Sequence, residues 1–237
     1  MSDKLYSGKA KDILKAENDN EVIIHFRNSL TAQNGKKKLE LEGKGELNCR
    51  ITELLFKYLF DNGVKSHYLK HISKTDFLAR KVKIVPLEVV IRNIATGSIV
   101  KRFGLEKGSS FKEPILEYFI KNDDLGDPPI CRDHIPILGF AEQDVLQKIE
   151  KISHDVNNLL KPLFEKCGIT LVDFKLEFGY SVDEILLADE ITPDTCRFWD
   201  MKTGESLDKD LFRDDKGDLI KGYTEVLTRI KEHITED

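Results

Sequence analysis

The chain has little of what builds specialised scaffolds. Its four cysteines, Cys49, Cys131, Cys167 and Cys196, are scattered over 237 residues. None forms a C-x-x-C pair, so no zinc module is suggested, and reduced, packed thiols are expected. Gly and Pro number only 15 and 7, below the average combined share of roughly 12%, which excludes collagen-like and low-complexity chains. No apolar stretch approaches the ~18 residues of a membrane span. The opening Met1-Ser2-Asp3-Lys4-Leu5 lacks the apolar segment of a secretory signal. A dominant charge is missing too: 42 acidic residues against 37 basic give a net charge of −5. The Lys36–Lys38 run is too short for the concentrated positive field that a phosphate backbone requires. The expectation is a soluble, cytoplasmic protein with neither nucleic acid nor membrane as partner.

What is present suits a globular enzyme. Charged residues make up 33% and hydrophobic residues 40%, and a body of this size buries roughly 70–75% of its unfolded surface. Val22 to Phe26 and Phe77 to Val85 read as strands. Between them Leu47, Ile51, Leu54, Leu55, Tyr58 and Leu59 recur at helical spacing, with Gly63 as the stop. Pro86 interrupts an extended run that resumes from Leu87 to Ile94, which sets a boundary between a smaller lobe, 1–86, and a larger one, 87–237. Ile115 to Ile120 reads as a strand. A long helix is expected from Ala141 to Cys167, kinked or split at Pro162. Strands Thr170 to Phe178 and Glu184 to Ile191 follow, then a last helix from Leu219 to Ile234. Strands and helices do not alternate regularly, so an α+β fold with antiparallel sheets is expected.

The most informative stretch is Val172-Asp173-Phe174-Lys175-Leu176-Glu177-Phe178. In a strand Asp173, Lys175 and Glu177 form a row on one face, each about 6.6 Å from the next. The plain reading is the wet face of a sheet. Asp189 and Glu190, ending the next apolar strand, make a second reading available. Asp189 can face Glu177 if the hairpin loop has an odd number of residues, or if a bulge at Gly179 corrects the register. Two facing carboxylates suit Mg²⁺, which takes one or two carboxylates plus phosphate oxygens. Gly8-Lys9-Ala10-Lys11 is either an exposed basic strand, with Lys9 and Lys11 on one face, or a phosphate holder; it is not a Walker A motif. Gly43-Lys44-Gly45 is a Gly-rich helix entry of a common kind. Arg92 and Ser98 flank a strand-to-helix turn, and Arg197 is a second candidate anion clamp, although each arginine alone also reads as a surface ion pair. His67 and His71 lie in an extended run, so their spacing does not make a metal pair.

Taken together, Leu5-Tyr6-Ser7-Gly8-Lys9-Ala10-Lys11, Val89-Val90-Ile91-Arg92-Asn93, Gly97-Ser98-Ile99-Val100-Lys101-Arg102, Leu171 to Gly179 and Asp189-Glu190-Ile191-Thr192-Pro193-Asp194 resemble the SAICAR synthetase family over nearly the whole chain. The resemblance implies a two-lobed fold related to ATP-grasp and kinase-like architectures, with ATP in the interlobe cleft, and a homodimer. It implies a purine-biosynthesis ligase that joins L-aspartate to the carboxylate of carboxyaminoimidazole ribonucleotide (CAIR), with ATP and Mg²⁺. Carried over by position, Lys9, Ala10 and Lys11 are the phosphate loop, and Pro86 to Glu88 borders adenine. Lys121, Asp123 and Glu177 lie on the nucleotide side, and Glu177 and Asp189 are the magnesium ligands. Arg92, Ser98 and Arg197 clamp the ribonucleotide phosphate, while Asp173 and Lys175 line the reacting centre, Asp173 as a candidate base. Asn34 stands where many relatives carry Asp, so no carboxylate role falls there. A small-molecule kinase and a non-catalytic nucleotide-binding dimer are the rivals. Asp173-Phe174-Lys175 is not D-F-G and no H-R-D or G-x-G-x-x-G is present, and a pure binder has no use for a lysine between two carboxylates.

Overall fold

The computed structural model describes residues 3–32, 37–182, 184–215 and 217–234. Asn34 lies outside them. In chain order the elements are β1 (Lys4–Ser7), β2 (Lys11–Lys15), β3 (Glu21–Phe26), β4 (Ser29–Ala32), β5 (Lys37–Glu40), α1 (Lys44–Asp61), β6 (Tyr68–Ser73), β7 (Asp76–Arg80), β8 (Lys83–Ile84), β9 (Leu87–Ile94), α2 (Ser98–Phe103), β10 (Ser110–Ile120), β11 (Pro129–Ile130), α3 (His134–Ile137), α4 (Gln143–Lys166), β12 (Ile169–Ser181), β13 (Glu184–Ala188), β14 (Cys196–Asp200), α5 (Asp210–Arg213) and α6 (Leu219–Lys231).

Two antiparallel sheets organise this α+β fold. The first has the order β1-β2-β3-β7-β6. The second follows β11-β10-β9-β12-β13, with β14 and β8 also paired to β12. β12 is the hub because it changes partners along its length. Residues 169–176 pair with β14 and β9, and residues 177–181 pair with β13 and β8. Its apolar residues Phe174, Leu176 and Phe178 and Leu87, Val89 and Ile91 of β9 are buried in the main core. Period-two alternation therefore leaves Asp173, Lys175 and Glu177 of β12 and Glu88 and Arg92 of β9 on the opposite face.

Helix α4 closes the core with Val145, Leu146, Ile149, Val156, Leu160, Leu163 and Phe164. It runs unbroken through Pro162, so of the expected kink or split the split does not occur. Pro162 sits on the exposed side, where water can satisfy the backbone carbonyl that loses its partner. Helix α1 stops near Gly63, whose φ is +88°, and α6 is N-capped by Asp218, whose carboxylate accepts from the Lys221 amide. The expected strand over 77–85 ends at Arg80 and resumes only as the short β8. The reason lies at Gly179: a Cβ there would come within 2.5 Å of Val82, so the 81–82 segment lies directly on β12 rather than continuing β7. Three of the cysteines are buried, but Cys131 is exposed rather than packed. No helix among the described residues is long and apolar enough to cross a membrane.

Candidate active site

A cavity of about 890 Å³ lies between the two sheets. One wall comes from the first sheet, with Lys9, Ala10, Lys11, Ile13, Val22 and Ile24; the other carries Glu88, Lys121, Asp123, Lys175, Glu177 and Asp189. Ile13, Val22, Ile24, Val82 and Ile84 make part of the lining apolar. That mixture of apolar wall and convergent charge is what a ligand cleft needs.

The charged wall is a lattice of alternating signs. The Lys175 ammonium donates to Glu177 (2.6 Å) and Glu88 (3.1 Å) and lies 3.6 Å from Asp189. Lys121 reaches the other Glu177 oxygen at 2.5 Å. Lys11 donates to Asp189 and, at 2.7 Å, to Glu190, which Thr192 also holds. Burial alone would lower the Lys11 pKa, but the Asp189 and Glu190 carboxylates outweigh it and raise it above the usual lysine value. Lys175 is raised likewise, against its burial, by Glu177, Asp189 and Glu88. Burial would push Asp189 up; Lys11, Lys175 and Lys121 hold it well below the usual carboxylate range.

The route by which Asp189 joins this lattice differs from the sequence expectation. The ladder pairs Ser181 with Glu184 and Glu177 with Ala188 without a bulge at Gly179. Asp189 is therefore not the cross-strand neighbour of Glu177. β13 ends at Ala188, and Asp189 takes a left-handed backbone, φ +61°, that brings its carboxylate to Lys11 and Lys175. Asp and Asn tolerate that conformation better than other non-glycine residues, for which it costs about 1–2 kcal/mol. His67, buried between the Phe56 and Phe77 rings, lies with Nε2 3.3 Å from the Asp189 carbonyl oxygen, to which it can donate. Burial pulls the His67 pKa down to about 4.

Lys9 and Lys11 do not share a strand face. The Gly8 amide donates to the Lys11 carbonyl, making a tight turn from β1 into β2 with Lys9 and Ala10 at its tip. Lys9 instead crosses the mouth of the cavity to Asp123 at 2.6 Å, an exposed pair.

A second cluster is centred on Asp173. Arg92 and Arg197 stand directly opposite it on the two neighbouring strands, β9 and β14. Arg92 donates to Asp173 (2.9 Å), to Glu117 (2.6 Å) and to the Ser98 hydroxyl (3.2 Å). Arg197 donates to Asp173 (2.9 Å) and Asp210 (2.8 Å). Gly97, at φ +61°, leaves room for the Arg197 guanidinium, which a Cβ would meet at 3.0 Å. Arg92, Ser98 and Arg197, which the resemblance groups together, are linked here through Arg92 and Asp173, beyond the lining of the main cavity and around a carboxylate.

One network escaped sequence reading. Lys44, in the first turn of α1, is fully buried against Asp194 at 2.5 Å. Asp194 also accepts from Asn48 (2.8 Å) and from the Tyr223 hydroxyl of α6 (2.7 Å), and Lys209 lies 3.8 Å away. The Gly43-Lys44-Gly45 entry was visible as a motif, but nothing local pairs it with a residue about 150 positions on.

The sequence pattern of SAICAR synthetase matches residues 4–230. The chain belongs to the SAICAR synthetase family. It is 49% identical over 229 residues to the phosphoribosylaminoimidazole-succinocarboxamide synthase of Persephonella marina, covering 97% of this chain and 96% of that protein. The crystal structure of the Ehrlichia chaffeensis synthase superposes with a TM-score of 0.95 at 44% identity, covering 99% of this chain and all of the other. A SAICAR synthetase solved in complex with ADP gives 0.93 at 46% identity, over 98% and 99% of the two chains. Members of the SAICAR synthetase family are ATP-dependent ligases of purine biosynthesis, and this chain is one of them.

Among the described residues no group of three or more His, Cys, Asp and Glu is arranged as a complete metal cage. Mg²⁺ needs less than that, one or two carboxylates with phosphate oxygens and water. Glu177 and Asp189, both within reach of the Lys175 ammonium, supply such a pair of hard oxygen donors.

Proposed function

We propose that this enzyme couples ATP cleavage to amide formation between L-aspartate and the carboxylate of CAIR, through an acyl phosphate. One observation carries the reading: a single face of β12 bears both the Lys175–Glu177 lattice of the cavity and, two residues earlier, the Asp173–Arg92–Arg197 cluster. A phosphoryl donor and a phosphorylated acceptor would then meet across about 6–7 Å of one rigid strand. The relative with bound ADP supports the use of a nucleotide.

In this reading the turn of Lys9, Ala10 and Lys11 receives the nucleotide phosphates, with Lys121 and Asp123 on the same side and Glu88 toward the base. Glu177 and Asp189 hold Mg²⁺, which when bound neutralises phosphate charge. Arg92, Ser98 and Arg197 take the ribonucleotide phosphate, exchanging part of their carboxylate contacts for it. A carboxylate is a poor acyl donor because its charge repels the amine and oxide is a poor leaving group. Phosphorylation removes both obstacles. Lys175 stabilises the charge that gathers on the transferring oxygens, and Asp173 is the candidate acceptor of the amine proton. The lobes 1–86 and 87–237, a homodimer and a cytoplasmic setting complete the reading. The test is release of ADP and phosphate with CAIR and L-aspartate added singly and together; full turnover requires both. Stable phosphorylation of one small molecule without the amine would replace the ligase by a kinase.

A further inference from the structure

Each largely buried lysine on the charged wall is matched at short range: Lys11 by Asp189 and Glu190, Lys175 by Glu177 and Glu88. Lys209 is different. It lines the same cavity, its side chain is only 15% exposed, and its nearest carboxylate oxygen, on Asp194, is 3.8 Å away. Asp194 is already engaged by Lys44, Asn48 and Tyr223, so little of its acceptor capacity remains. Among the described residues Lys209 makes no closer ion pair. Arg213, one turn on, lines the cavity beside it and shares Asp210 with Arg197. Burial lowers the Lys209 pKa; Asp194 and, least of the causes, Glu190 oppose this, while Arg213 and Lys44 add to it. This corner of the cavity therefore holds positive charge that the protein leaves undercompensated, at a cost that a bound anion relieves.

Given the reaction proposed above, we propose that Lys209, assisted by Arg213, binds a carboxylate of the amino-acid substrate. The anions of that reaction divide among the cationic groups. Nucleotide phosphates suit the Lys11, Lys121 and Lys175 wall, and the ribonucleotide phosphate suits the two guanidiniums around Asp173. The carboxylates of a dicarboxylic amino acid remain, and Lys209 is the buried cation left to receive one. Lys209 lies in the Asp208-Lys209-Asp210 loop, which Asp208 secures by accepting from the Phe198 and Asp210 amides, both at 2.7 Å. The ammonium is thus held by a fixed backbone.

The test is steady-state kinetics of Lys209→Met and Lys209→Arg with each substrate varied in turn, and calorimetry with ADP. A charged hydrogen bond to a carboxylate is worth about 1.5–3 kcal/mol, so Lys209→Met should raise KM for L-aspartate roughly 10- to 100-fold. KM for ATP and CAIR and the affinity for ADP should stay within about threefold, and kcat at saturating L-aspartate should be largely retained. Lys209→Arg should recover most of the loss. An unchanged KM for L-aspartate, or a loss that falls on ATP, on CAIR or on kcat alone, overturns the assignment. Normal ADP binding by Lys209→Met keeps a folding defect apart from these outcomes. Failure of the unaltered enzyme to couple L-aspartate at all would overturn the reaction, a result distinct from a silent Lys209→Met.

Discussion

The Lys175 ammonium donates to the Glu177 carboxylate of its own strand at 2.6 Å, and a second carboxylate, Asp189, stands 3.6 Å away. The lysine is the counter-ion of these carboxylates, and in the proposed reaction it also meets the transferring oxygens. Lys175→Met keeps the length and removes the charge. Turnover should fall by about 10²–10³, the usual loss for one preorganised donor. Because Glu177 keeps Lys121, the fold should survive with a modest drop in Tm, read by calorimetry beside the rate.

The left-handed backbone of Asp189 separates two roles that a substitution series can resolve. Asn tolerates that conformation, so Asp189→Asn should keep Tm within a few degrees while abolishing ATP-dependent turnover. Asp189→Val loses the charge and strains the backbone, and should cost roughly 1–2 kcal/mol more in stability. Equal Tm values for the two variants would count against backbone strain at this position. Glu177→Gln, on a regular strand, should lose turnover with little strain.

Arg92→Ala should weaken CAIR binding while leaving ATP affinity little changed, as titration calorimetry would register. It also leaves the buried Asp173 with Arg197 as its remaining strand-neighbour cation. A stability loss of about 3 kcal/mol or more is expected for breaking a buried pair.

His67 gives a pH signature. Its folded pKa, about 4, lies below the ordinary histidine value of 6.5, so the unfolded chain binds more protons between those values. Stability is full above pH 6.5 and is lost as pH falls toward 4, by roughly 3 kcal/mol in all. His67→Gln retains a donor for the Asp189 carbonyl and removes the titration. The difference in Tm between the two proteins should therefore narrow or reverse on going from pH 7.5 to pH 5.

The parts of the fold legible in the sequence were those ruled by local periodicity. β9 runs from Leu87 to Ile94 as the pattern after Pro86 suggests, and the Asp173-Lys175-Glu177 row shares a face because alternation in a strand leaves no choice. Arg92 and Arg197 stood out in the sequence as candidate anion clamps, but not as cross-strand neighbours of Asp173, because strand order is set by long-range pairing. Asp189 defeated register arithmetic because one backbone dihedral, not the ladder, aims it. Pro162 pointed to a kink or a division; α4 is not divided there, and propensity does not reveal that this position lies on the face that meets water. Lys209 carries no motif at all; it stands out only once Asp194 is seen to be engaged elsewhere.

The Asp194 carboxylate joins Lys44 and Asn48 of α1 to Tyr223 of α6. During synthesis the chain emerges from its N-terminus, so Lys44 is made long before Asp194 and the tyrosine that completes the bonding of that acid. The wall of the cavity next to Lys209 is thus completed only once α6 has been made. A nascent chain that has not yet made α6 would leave the Asp194 carboxylate without its tyrosine donor, and ligand binding at that wall would report that α6 has docked on α1.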